Sequence, residues 1–326
     1  MTEAHDRRPA GIAPTTILQK FVHPALAELH LGNVIVPGRF EAHRVAGFVS
    51  RMKDLPSGTA GELAEAYGLD KIPGWPVGGP VYVLRFRAGT EMLYTTSFGG
   101  QNAEGAQRMN SPVIYPAPFV GTGYTPSSEH TIPEYFMELT EIAAGTEMWR
   151  IDADGTSLRV GKYVHRQLGW VRTGSPSFGP ATWWRGPISL RPTVRRGLTA
   201  RYRGLDFDAD FGPDTGQVTL HPMPGTPAPP DFTEREGTRS LVVLDAQTDE
   251  LTYRRQLCAW RGAAFELVDL GPQEAVVHFL GQNYEVAEQL GLTEVDYRIW
   301  RTIVPRSELT DVRPEVRPVR RGVLTA

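Results

Sequence analysis

Arg196-Gly197-Leu198-Thr199-Ala200-Arg201-Tyr202-Arg203-Gly204-Leu205-Asp206-Phe207 is answered further along the chain by Arg255-Gln256-Leu257-Cys258-Ala259-Trp260-Arg261-Gly262-Ala263-Ala264-Phe265. Tyr202 meets Trp260, Arg203-Gly204 meets Arg261-Gly262, and Phe207 meets Phe265. After one inserted residue Gly212-Pro213 pairs with Gly271-Pro272, Val218 with Val277 and Leu220 with Phe279. Each copy closes on a similar phrase, Asp249-Glu250-Leu251-Thr252 and Ser307-Glu308-Leu309-Thr310. Duplicated small units bury one face against a neighbour, and a binding surface is their usual product. The two copies occupy residues 190–254 and 255–312. Each has room for five short strands around a few aromatics, the size of an SH3-like barrel.

The alternation, Gly/Pro punctuation and aromatic content of β structure extend back to Pro73. Val81-Tyr82-Val83-Leu84-Arg85-Phe86 and Tyr135-Phe136-Met137-Glu138-Leu139 each run through a glycine turn into a second strand, and Asp152-Ala153-Asp154-Gly155 is a hairpin signal. Helical spacing is confined to the first seventy residues: 16–22 ahead of Pro24, 41–52 with Val45, Phe48 and Val49 on one face, and a segment capped by Ser57 or Thr59 that ends at Gly68. The expected fold is therefore mainly β. It comprises a tail (1–14), a short helical head joined to an α+β middle domain (15–172), two tandem SH3-like small barrels (190–254 and 255–312) and a C-terminal strand or tail (313–326). Residues 317–326 echo 191–200, as the opening strand of a further copy would.

Composition narrows the function classes. With 326 residues, 40% apolar and 22% charged, the chain has the profile of a multidomain globular protein. A formal net charge of -3 gives no global attraction to nucleic acid or to an anionic membrane. No apolar run reaches the roughly 18–20 residues of a membrane span, and the polar N-terminus carries no secretory leader, so a cytoplasmic location is expected. One cysteine, Cys258, excludes an intrachain disulfide framework, and no histidine pair has zinc-hydrolase spacing. Asp206, Asp208 and Asp210 lack the glycine and glutamate positions of a calcium loop. No metal and no obligatory cofactor are expected.

Two resemblances bear on function. Arg85, then Tyr94-Thr95-Thr96-Ser97, then Glu134 or Glu138 follow the order of groups in bacterial ADP-ribosyltransferase and NAD glycohydrolase toxins. The likeness implies NAD as cofactor, with Arg85 on a pyrophosphate, Thr96 positioning the ribose and a glutamate stabilising an oxocarbenium-like transition state. It covers about 60 residues, and Arg85 lies closer to Thr95 than that family's pattern has it. The Trp260-Arg261-Gly262 and Val304-Pro305-Arg306-Ser307-Glu308-Leu309 stretches resemble uncharacterised actinobacterial proteins with tandem C-terminal SH3-like repeats. That likeness implies a lineage and no activity.

The leading expectation is a protein-recognition molecule, an adaptor, immunity or accessory protein of a bacterial conflict or secretion system whose partner is another protein. The alternative is an NAD-consuming effector. Candidate binding residues are Trp183, Trp184 and Arg185 at the domain junction, Tyr202 and Arg203, and Trp260 and Arg261, because arginines beside aromatics dominate interface energetics. The competing reading makes Tyr202 and Trp260 barrel core, and Trp183 and Trp184 packing between domains.

Overall fold

The computed structural model describes residues 10–13, 15–88, 92–94, 119–124, 132–175, 179–185, 194, 196–223, 228–281 and 283–319. The chain is mainly β, with curled antiparallel sheets. The strands of its first half are β1 (Ala10–Ile12), β2 (Ile17–Val22), β3 (Ile35–Val36), β4 (Phe40–Glu41), β5 (Arg44–Arg51), β6 (Val81–Arg87), β7 (Met92–Tyr94), β8 (Phe119–Tyr124), β9 (Pro133–Glu141), β10 (Glu147–Ile151), β11 (Ser157–Tyr163) and β12 (Trp170–Arg172). Eight of them make one sheet in the order β12-β11-β10-β6-β2-β5-β9-β8, while β1 pairs β7 and β3 pairs β4. Its helices are α1 (Pro24–Leu31), α2 (Ala60–Tyr67) and the single turn α3 (Thr182–Arg185).

Local chemistry explains α2. The Thr59 hydroxyl accepts from the Glu62 amide, the Glu62 carboxylate accepts from the Thr59 amide, and Gly68 closes the helix at φ 70°. The other two helical expectations are corrected. Segments 16–22 and 41–52 are largely the strands β2 and β5, at the centre of the sheet and buried on both faces. A doubly covered strand shows no two-residue alternation, so its apolar run mimics a helix face. In β5 the imitation is helped by a register shift between Val45 and Gly47. Pro24 starts a helix instead of breaking one: it stands in the first turn of α1, where no amide hydrogen is needed. One face of the sheet packs Leu18, Val22, Leu84 and Met148 into the larger core, and the other carries Phe21 and Val83 beneath Leu63 and Tyr67 of α2.

The second half adds β13 (Gly197–Tyr202), β14 (Leu205–Phe211), β15 (Gln217–Pro222), β16 (Thr233–Arg235), β17 (Thr238–Leu244), β18 (Glu250–Trp260), β19 (Ala263–Leu270), β20 (Glu274–Phe279), β21 (Thr293–Asp296), β22 (Ile299–Pro305) and β23 (Thr310–Pro318), with helix α4 (Tyr284–Gln289) before β21. The β13-β14 and β18-β19 hairpins turn on Arg203-Gly204 and Arg261-Gly262. The φ angles are 52° and 76° in the first and 48° and 78° in the second. Two consecutive left-handed residues are what a two-residue hairpin loop demands, and glycine supplies the second without strain. Ala200 then faces Phe207 across one ladder, and Cys258 faces Phe265 across the other. Both phenylalanines are fully buried, each in its own aromatic cluster. Burial pushes the Cys258 thiol up to about 11, so it packs as a small apolar group.

The ladders revise the alignment by two residues. Leu220 faces Ala209 and Val277 faces Leu267, which equates Leu220 with Val277 instead of Phe279. A slip of two keeps every side chain on its original face, so the inward pattern alone did not fix it. The 254/255 boundary falls inside β18, whose first half pairs β13 and whose second half pairs β19, with β23 along its other edge. One strand thus closes the first ladder and opens the second. Each closing strand follows a 3-10 turn, Asp245–Gln247 or Arg306–Glu308. The 312/313 boundary likewise falls inside β23.

Candidate functional site at the seam between the two sheets

Strand β9 carries the two glutamates singled out from the sequence, and the structure gives them different surroundings. Glu138 is buried, its carboxylate held by Arg255 at 2.6 Å and Arg317 at 2.5 Å, both from the second half of the chain. Burial raises its pKa, and the two guanidiniums partly offset the rise. Glu134 lies on the same face and keeps a buried Oε1 without a hydrogen-bond partner. Burial pushes Glu134 up to about 7, with the Tyr67 hydroxyl, Arg298 and Lys20 opposing.

Arg85 sits on β6, half-buried, its Nε donating to Gln19 Oε1 at 2.9 Å and its guanidinium 5.0 Å from the centre of the Trp149 ring. Arg85 faces Gln19, Gln19 faces Ser50, and Val49 faces Tyr135, so Ser50 is brought to the level of Glu134. Arg85 and Glu134 therefore share one transverse row of one face, three strand spacings or about 14 Å apart. Thr96 lies outside the described residues.

Trp183 is buried in the larger core of the first half, its Nε1 donating to the Arg166 carbonyl at 2.7 Å and its ring 4.7 Å from that of His43. Trp184 is half-buried against the same core. Both tryptophans pack here as internal cement; Arg185 closes α3, and its side chain lies outside the described residues. Tyr202 and Trp260 are buried as well, each beneath the arginine that follows it: Arg203 at 4.8 Å from the Tyr202 ring centre and Arg261 at 4.4 Å from that of Trp260. Both arginines are exposed at the hairpin tips.

Sequence reasoning missed the largest charged assembly among the described residues. Where β9 meets the second half, buried Arg44, Arg196, Arg255 and Arg301 lie among Glu41, Glu138, Glu141 and Glu266. Arg196 pairs with Glu266 and donates to the Leu139 carbonyl at 3.1 Å, which also accepts from the Tyr253 hydroxyl at 2.7 Å. Gly197 at φ 94° lets the backbone approach this cluster: a β-carbon there would stand 2.0 Å from a Glu141 oxygen. Burial, followed by the Arg44 guanidinium, pushes His43 down to about 3, so its imidazole is neutral at pH 7. A backbone bond of 2.7 Å from the Ala144 amide to the Phe211 carbonyl fixes the seam beside it. The available signal was charged residues inside otherwise apolar strands, at Arg44 and Glu138 above all.

The fold and the seam together define a β-rich protein of two interlocked sheets with a buried ionic junction. No family model, no curated protein and no solved structure matches the chain. Among the described residues no group of three or more His, Cys, Asp or Glu side chains is placed to hold a metal ion, and no helix is long and apolar enough to cross a membrane.

Glu134 provides a test of this electrostatic picture. Its pKa is about 7 in the folded chain against 4.5 for an ordinary glutamate. The native state therefore holds the extra proton between those limits, and stability falls as pH rises through that window. Glu134→Gln should stabilise the chain by on the order of 3 kcal/mol at pH 8, and the advantage should vanish below about pH 4.5. Urea unfolding of both chains from pH 4 to 8 measures it; a pH-independent difference would refute the assignment.

Proposed function

We propose that the chain is a protein-recognition molecule of the adaptor type, built around two SH3-like barrels that share β18. The observation carrying this reading is the pair of matched hairpin tips. At each, an exposed arginine is held in the left-handed region over a buried aromatic ring, at Arg203 on Tyr202 and at Arg261 on Trp260. Stacking restricts the guanidinium before any partner arrives, which lowers the entropy lost on binding. Arg201 faces Glu250 at one end of β18 and the second tip follows Trp260 at the other, so the tips stand roughly 35 Å apart along the shared strand and each presents one pre-arranged arginine, Arg203 with Asp231 beside it at 2.9 Å. Against nicotinamide chemistry stands the capture of Glu138 by Arg255 and Arg317.

The double variant Arg203→Asn, Arg261→Asn tests the proposal, since asparagine tolerates left-handed backbone. We expect its thermal midpoint to stay close to that of the parent, while affinity for the partner falls roughly thirtyfold, as for loss of an arginine hot spot. The partner would be found by affinity capture from the source cell compared between parent and variant, and its Kd then measured with the purified component. If every captured species ignores both substitutions, the tips are not the recognition surface. Release of nicotinamide from NAD by the parent chain, lost in Glu134→Gln, would replace recognition with catalysis.

A further inference from the structure

A small cavity opens at the seam where α1 and the β3-β4 hairpin of the first half meet β21 and β22 of the second. Its volume is about 40 Å³. Its polar lining includes Lys20, Arg39, Arg44 and Arg301 as cations against Glu41 and Asp296 as anions. Lys20 is taken by Asp296 at 2.8 Å. Arg44 and Arg301 draw on the same carboxylate, Glu41, at 2.7 and 3.2 Å, and Glu141 stands 3.7 Å from Arg44. Both arginines are at least nine-tenths buried; Arg301 keeps an Nε without a hydrogen-bond partner, and the Nε of Arg44 has no hydrogen bond and faces Glu141 Oε1 at that longer ion-pair distance of 3.7 Å. A buried guanidinium donor left unmade is costly, and a carboxylate is the acceptor whose geometry suits it. Arg39 is exposed at the rim and adds a further positive charge.

We propose that this cavity binds a short aliphatic carboxylate, its head group accepting from Arg44 and Arg301 and its tail lying against Leu26, Val45 and Ile299. Size selects the head group: at roughly 10–15 Å³ for each water-sized group, the space holds about three, which suits a carboxylate with a stub of chain and excludes a phosphate ester. The mixture of paired arginines and aliphatic wall argues for the same class. Because its walls come from both halves of the chain, the ligand would stabilise their junction and raise the unfolding temperature.

The test is calorimetric titration of the full chain at pH 7 in carboxylate-free buffer, with acetate, propionate and 2-methylpropanoate as probes and inorganic phosphate and chloride as controls at matched ionic strength. We expect saturable one-to-one binding of the carboxylates, improving about threefold to fourfold for each added carbon until the cavity is full. Arg39→Gln, an exposed change at the rim, should weaken binding severalfold with the fold intact. Ala46→Leu, which extends a lining residue into the space, should abolish binding while circular dichroism is unchanged. The proposal is overturned by an absence of saturable heat with all three carboxylates, by an equal response to phosphate or chloride, or by affinity that Arg39→Gln leaves unaltered.

Discussion

Arg196→Met is expected to destabilise the folded chain by about 3–5 kcal/mol, the usual cost of removing one partner from a buried ion pair. Glu266, which Arg196 holds, has no exposed surface, and one of its oxygens already lacks a hydrogen-bond partner. Deleting the guanidinium removes the direct partner of that charge, leaving only the more distant Arg255, and strips the Leu139 carbonyl of one of its donors. The double variant Arg196→Met, Glu266→Leu should recover most of the loss, because a well-packed apolar replacement for both partners is often neutral or stabilising. Urea denaturation of the three chains gives the comparison. A single-variant loss under about 1 kcal/mol would mean that solvent reaches the pair and that the seam is not the dry junction inferred from its burial.

Phe207→Ala and Phe265→Ala should each cost about 3–5 kcal/mol, as truncation of a fully buried aromatic does. The sharper expectation concerns cooperativity. Phe207 lies in the ladder that β18 closes and Phe265 in the ladder that β18 opens. Melting of either ladder removes a neighbour from the same strand, so both variants should lower one common transition. Two resolved transitions in calorimetry, each moved by only one of the substitutions, would show that the ladders unfold independently.

The equivalence of Phe207 with Phe265 was open to inspection from the start, because the Arg-Gly dipeptides align the two copies; that Cys258 faces Phe265 came from the register of the hairpin that the dipeptide turns. The glutamates of β9 were a different matter. Their residue type and strand could be read, but their task could not: Glu138 finds Arg255 and Arg317 at separations of 117 and 179 residues. Nothing in the spacing around Glu138 distinguishes a carboxylate bound for a substrate from one bound for a distant arginine. The tryptophans at 183 and 184 posed the same ambiguity. Burial of the Trp183 ring against His43 sides with cement.

What the sequence by itself determined was local: the cap and stop of α2, the equivalence of Phe207 with Phe265, and the predominantly β character of the described residues after Pro73, within which α4 went unread. Each rests on interactions between residues a few positions apart, where turn geometry, capping and period-two burial leave a direct imprint. Tertiary structure alone decided that β2 and β5 are central strands, that β18 serves two ladders, and that four arginines and four glutamates meet at the seam. The Arg301 and Glu41 pair at that seam spans 260 residues. Such contacts are selected by the folded arrangement as a whole, through the cost of burying a charge without a partner, and a distance of that length leaves no periodicity to read.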